Sequence, residues 1–204
     1  LSPLQQGLYF HWLKNQSSLD YFEQLAYNVT MKNVDASNLK KSFEILRQRH
    51  SILRTSFTNM LGNIPLQIVH KRIEGGFCYE ELFGSETDVQ KNIISIKDED
   101  RLRIFDLEEP KLIRLKVLRL NKKEYVFIWS FHHIIMDGWC TEMLIQEFYK
   151  IYAALSTKKD ILLPKRTSYA TYINWLSNFD RKSSTAYWKN YLSDINTITE
   201  VPFK

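Results

Sequence analysis

The stretch from Tyr125 to Phe131 constrains this chain more than any other. It is apolar or aromatic throughout except for Ser130. A run of that length and composition predicts a central strand covered on both faces. It leads directly into His132, His133, Ile134, Ile135, Met136, Asp137 and Gly138. Asp-Gly signals a turn, and glycine permits a close backbone approach or a positive φ. Beyond it, Gly138 to Leu155 places Met143, Leu144, Phe148 and Ile151 on one side of a helix. The centre of the chain is therefore a strand, a turn and a helix, and such junctions are common places for chemistry.

The surrounding pattern supplies the other elements. Ser2 caps a helix that runs to about Lys14, with Pro3 in its first turn and Gln5 at capping-box spacing. Leu4, Leu8 and Trp12 are expected on its buried face. Tyr21 to Met31 reads as a strand. Asp35 to His50 reads as an amphipathic helix with the stripe Leu39, Phe43, Leu46 and a cap at Asp35 or Ser37. Leu53 to Thr58 and Leu66 to His70 read as strands joined by a turn around Gly62 and Asn63. Ser85 to Arg103 is a second amphipathic helix, and Leu112 to Leu120 alternates as a half-buried strand does, with a turn at Asn121-Lys122-Lys123. Thr167 to Phe179 and Ser183 to Leu192 are shorter helices rich in Trp and Tyr. The expected class is α+β, a sandwich of a mixed or antiparallel sheet with packed helices. With 6 glycines and no glycine-rich phosphate loop, a nucleotide fold is disfavoured.

Charge narrows the partners. The net charge is +5, with 28 basic and 23 acidic residues. The basic runs are short (Lys40-Lys41, Lys122-Lys123, Lys158-Lys159), which speaks for a mixed solvated surface and against nucleic acid. A mild positive field would help dock an acidic partner. Cys78 and Cys140 form no zinc spacing and no disulfide framework, so free thiols in a reducing cytoplasm are expected. No signal peptide is evident, and no apolar run approaches the roughly 20 residues needed to cross a membrane. The chain opens in mid-motif at Leu1-Ser2-Pro3, as a piece of a longer protein would.

Two adjacent histidines at a strand end invite a catalytic reading. Successive strand side chains alternate faces, so one is expected to be structural and the other open to substrate. A neutral imidazole accepts a proton near pH 7 and makes a candidate general base. Asp137 would either orient a histidine or pair with an arginine and fix the turn. The competing reading is a pair of satisfied core histidines. No metal is expected: His133 is followed at helical spacing by Asp137, with no third ligand nearby. Cys140 is a weak candidate nucleophile, and no Gly-x-Ser-x-Gly segment suggests a serine hydrolase.

The pattern His132-His133-x-x-x-Asp137-Gly138 resembles the signature of nonribosomal peptide synthetase condensation domains and of related chloramphenicol-acetyltransferase-like acyltransferases. Ser2 to Tyr9, Arg49 to Phe57 and Tyr169 to Trp175 resemble that family's first, second and fourth motifs, in the right order. The resemblance implies that residues 1–204 are the N-terminal lobe of a two-lobed domain whose active site lies in a tunnel between lobes. The full domain would join a donor peptidyl or aminoacyl thioester to the amine of an acceptor aminoacyl thioester. Both would arrive on phosphopantetheine arms of upstream and downstream carrier domains, with adenylation or epimerization domains as neighbours. It implies His133 as the catalytic residue. His132, Asp137, Gly138 and Arg54 would be structural, with Asp137 paired to Arg54. No cofactor bound by the chain itself is implied. Gly7 stands where the first motif usually has Arg. Together with Tyr21 to Gln24 and Asp137 to Cys140, this resembles domains taking a D-configured donor. The alternatives are a coenzyme A-dependent acyltransferase of the same fold and a non-catalytic lobe that docks carrier domains.

Overall fold

The computed structural model describes residues 1–60, 62 and 64–195. By internal contacts the chain divides into two compact units, residues 1–169 and residues 170–204. The first holds a four-stranded sheet in the order β1-β6-β5-β4, from β1 (Phe22–Thr30), β4 (Phe77–Glu81), β5 (Ile113–Arg119) and β6 (Glu124–His132). β6 is antiparallel to both neighbours, and β4 runs parallel to β5. The sheet is thus mixed and the class α+β. A separate two-stranded ribbon pairs β2 (Thr55–Thr58) with β3 (Leu66–Val69). In the turn expected between them, Asn63 lies outside the described residues.

β6 is the central strand its composition demands, and every residue after Glu124 is buried. Its pleat feeds two apolar clusters. Tyr125, Phe127, Trp129 and Phe131 join the main core, in which α2 (Ala36–Arg49) and α4 (Gly138–Ser156) supply Phe43 and Phe148. The Trp129 ring meets Phe148 edge-on at 5.2 Å, a geometry that adds about 1 kcal/mol to simple burial. Val126 and Ile128 pack on the other side against Val89 and Ile93 of α3 (Glu86–Leu102). Both faces of the strand are thereby dry, which is why it tolerates no alternation.

The helices start where capping chemistry dictates. On α1 (Pro3–Lys14), Gln5 N donates to Ser2 Oγ at 3.2 Å and Ser2 N donates to Gln5 Oε1 at 3.0 Å, a complete capping box. The buried face is Gln5, Leu8, Tyr9 and Trp12. Leu4 is 74% exposed, so its expected place on that face is corrected: the face turns toward i+1 and i+4 partners and away from Leu4. Asp35, not Ser37, caps α2, accepting from the amides of Ser37 and Asn38. Met143 of α4 is also outside the buried stripe, where Glu147 and Tyr152 stand with Leu144, Phe148 and Ile151. Leu53 and Arg54 belong to a 3₁₀ turn (Ser51–Arg54) that precedes β2. Among the described residues, no helix is long and apolar enough to cross a membrane. α5 (Tyr169–Ser177) bridges into the second unit, which also holds α6 (Arg181–Tyr191), capped by Asp180.

Candidate active site

β6 ends at His132, and the chain then turns through Ile134–Met136 into α4. The two histidines part company at this point. His132 is buried; its Nδ1 accepts from Ile134 N at 3.1 Å, so the ring proton of the neutral form sits on Nε2. Burial, with a smaller push from His133, lowers its pKa to about 4. It is neutral at physiological pH.

His133 leaves the sheet half-buried. Its backbone N still donates to Tyr21 O at 2.8 Å, which holds the strand end against the residue preceding β1. Its Nδ1 lies 2.9 Å from Met136 O. A carbonyl can only accept, so Nδ1 carries a proton, and in the neutral form of the ring the lone pair lies on Nε2. Among the described residues Nε2 has no partner. The turn thus fixes the tautomer of one histidine in the form that can accept a proton or a hydrogen bond from an incoming group.

The turn itself is anchored from a distant part of the chain. Gln5 Nε2 donates to Ile134 O at 3.1 Å, across 129 residues of sequence. Gln5 Oε1 also accepts from Gln67 Nε2 of β3 at 3.0 Å. One buried amide therefore joins the start of α1, the small ribbon and the histidine turn. The capping-box spacing found Gln5 for its local role; its long-range bond carries no local sequence signal.

Asp137 does not pair with Arg54. Its Oδ1 accepts from Cys140 N at 2.9 Å, and it is the exposed N-cap of α4. The hydrogen bonds from that first turn lower its pKa. The cap geometry turns the carboxylate onto the helix amides, while Arg54 Nη1 donates to the carbonyl of His70. Among the described residues no ion pair joins the two. Of the two uses glycine could have at Gly138, a positive φ is not taken up, and among the described residues a Cβ there would meet nothing within 4 Å.

Behind the turn lies a cavity of 170 Å³, lined chiefly by Ile52, Leu53, Met136, Cys140 and Leu144 and bordered by Glu147. Burial pushes the Cys140 thiol up, which leaves it a poor nucleophile. Glu147 of α4 is 3% exposed and is the hub of a charged cluster. Its Oε2 accepts from Arg49 Nε at 3.1 Å and lies 2.7 Å from His50 Nε2; its Oε1 accepts from Arg166. Burial raises this carboxyl, but the bonds from His50 and Arg166 outweigh it and leave the pKa below its ordinary value. The Arg49-His50 pair is thereby placed as an anchor of α4, a role invisible in sequence.

The arrangement matches a known pattern along its whole length. The Condensation domain family model covers residues 1–204. This chain belongs to the condensation domain family. It is 37% identical over 202 residues to one of the linear gramicidin synthase proteins of Brevibacillus parabrevis, matching 98% of this chain and 4% of that protein. It is 34% identical over 200 residues to surfactin synthase subunit 3 of Bacillus subtilis (strain 168), matching 94% of this chain and 15% of that protein. The condensation-domain chain thus spans a small fraction of these relatives. In fold it is similar to the starter condensation domain of rhizomide synthetase RzmA, with a TM-score of 0.83 at 15% identity over 99% of this chain and 50% of that one. SgcC5 of Streptomyces globisporus superposes with a TM-score of 0.73 at 20% identity, over 89% of this chain and 41% of that one. In this condensation-family chain the histidine pair sits at the end of the buried inner strand β6.

Proposed function

We propose that residues 1–204 form the N-terminal lobe of a condensation domain that makes peptide bonds in nonribosomal peptide synthesis, with His133 at the reacting centre. The observation that carries this is the Met136 carbonyl, which holds Nδ1–H and leaves Nε2 open at the mouth of the turn. The amine of the acceptor attacks the donor thioester carbonyl, the carbon–sulfur bond breaks, and the departing pantetheine thiolate is protonated by the proton that His133 has taken from the amine. Nε2 accepts the amine N–H, which aligns the nitrogen lone pair and receives the proton as the bond forms. His132, Asp137 and Gln5 hold that geometry and do not touch substrate.

The substrates in this reading arrive on phosphopantetheine arms of upstream and downstream carrier domains. The second lobe completes the tunnel, and adenylation or epimerization domains flank it. The setting is the cytoplasm, where Cys78 and Cys140 stay reduced. The donor is D-configured, on the resemblance of Ser2 to Leu8, Tyr21 to Gln24 and Asp137 to Cys140.

The test uses the complete two-lobed domain with separately loaded donor and acceptor carriers, and mass spectrometry of the dipeptidyl carrier. His133→Ala is expected to lower the rate at least ~100-fold, the scale of one positioned acid–base group. Product from the D-donor supports the stereochemical assignment, and product from the L-donor alone discards it while keeping the enzyme class. Transfer from free coenzyme A thioesters in place of carriers would instead favour a coenzyme A-dependent acyltransferase. No product from either donor on loaded carriers would leave a docking lobe.

A further inference from the structure

A second polar site lies away from the histidine turn. It is a cleft of 800 Å³ between α2, the 3₁₀ turn and the segment from Arg72 to Phe77. Five cations line it, namely Lys40, Lys41, Arg47, Arg54 and Arg72, against two carboxylates, Glu44 and Glu74. Among the described residues none of the five is in an ion pair.

The strongest sign is inside the wall. Arg47 is 3% exposed, lies over the Phe43 ring at 4.6 Å, and leaves Nε and Nη1 without a hydrogen-bond partner. Arg54 Nε is buried and unpartnered as well. Buried guanidinium N–H groups are rarely left so, because each gives up its water without replacement. The bond that Arg47 does make, Nη2 to Ile73 O at 3.4 Å, is at the long limit. It is made to the loop that roofs the guanidinium, next to Gly75 and Gly76. Both of those glycines have left-handed φ, and a Cβ on Gly76 would come within 3.3 Å of Arg47 Nη1. Burial lowers the Arg47 pKa, a penalty that a nearby anion relieves.

We propose that this cleft binds a phosphate-type oxyanion, with Lys41 and Arg72 capturing it from solvent and Arg47 and Arg54 donating their orphaned N–H groups as the Arg72–Gly76 loop adjusts. Guanidinium groups are the donors best matched to such an anion. Three excess positive charges favour a multiply charged group over a monovalent one. The site is independent of the peptide-bond chemistry proposed for His133.

The experiment follows thermal unfolding and calorimetric binding of the purified chain with inorganic pyrophosphate and, separately, with glycerol phosphate. Sodium chloride at matched ionic strength is the control. Wild type is expected to gain thermal stability in either anion but not in chloride, since a ligand of the native state stabilises it by mass action. Comparable binding of both probes assigns the site to phosphate groups generally; preference for pyrophosphate assigns it to free polyphosphates. Lys41→Gln/Arg72→Gln, which alters exposed residues only, is expected to weaken binding about tenfold. Arg47→Met is expected to abolish binding while unfolding, without anion, at or above the wild-type temperature, because an unsatisfied buried charge has been removed. No anion-specific shift in wild type, or an undiminished shift in both variants, would overturn the proposal.

Discussion

At the scale of single residues, the candidate site is set by what each polar atom accepts or donates. His132 holds its pKa near 4, against an ordinary 6.5, because its ring is buried and a second histidine stands beside it. The folded pKa is the lower one, so the unfolded chain takes up this proton first as pH falls. The stabilisation is whole above about pH 6.5 and is lost between there and about pH 4, on the order of 3 kcal/mol at 1.36 kcal/mol per unit. Urea midpoints measured across that window are expected to slope downward toward acid, less steeply in His132→Gln. Asp137 behaves differently. As an exposed N-cap it contributes about 1 kcal/mol, so Asp137→Ala lowers the unfolding midpoint modestly, where loss of a buried ion pair would remove several. Gln5→Leu strands Ile134 O and Gln67 Nε2 together, and is expected to cost about 1–3 kcal/mol by chemical denaturation. In the complete domain it also lowers turnover, since the turn that holds His133 loses its distant anchor.

At the scale of elements, periodicity and caps revealed most of what is local. The Leu39, Phe43, Leu46 stripe, the Ser2 capping box and the dry strand Tyr125–Phe131 are all satisfied by neighbours a turn or a strand away. What stayed hidden depends on partners far along the chain. β4, Phe77–Glu81, follows two left-handed glycines and has an unremarkable alternation; it becomes a strand by pairing in parallel with β5. Asp100 of α3 gives no signal either, yet it is buried beneath Arg114, Ser130 and Gln24 and ties that helix to the sheet. In the same way Arg49 and His50, which open the segment resembling the second motif, are turned onto Glu147 of α4. Glu147→Ala leaves Arg49 and Arg166 facing one another and His50 without a shared carboxylate. It is expected to cost about 3 kcal/mol, the lower end for a broken buried pair, because Arg166 is 35% exposed and partly screened. A double-mutant cycle with Arg49→Ala measures the coupling directly.

At the scale of the whole molecule, the function proposed for the histidine turn requires a second lobe. The 204-residue chain alone is expected to form no peptide bond between loaded carriers, while the two-lobed domain does; product formation by the isolated chain would place the entire reacting centre within it. The central strand has a further consequence for how such chains diverge. β6 is hydrogen-bonded on both edges, Phe22 opposite His132 and Ile113 opposite Phe131, and apolar on both faces. A single residue inserted within it would exchange its two faces and turn the catalytic candidate into the core. Insertions or deletions are therefore expected to be tolerated at the Asn121–Lys123 turn and not within Glu124–His132.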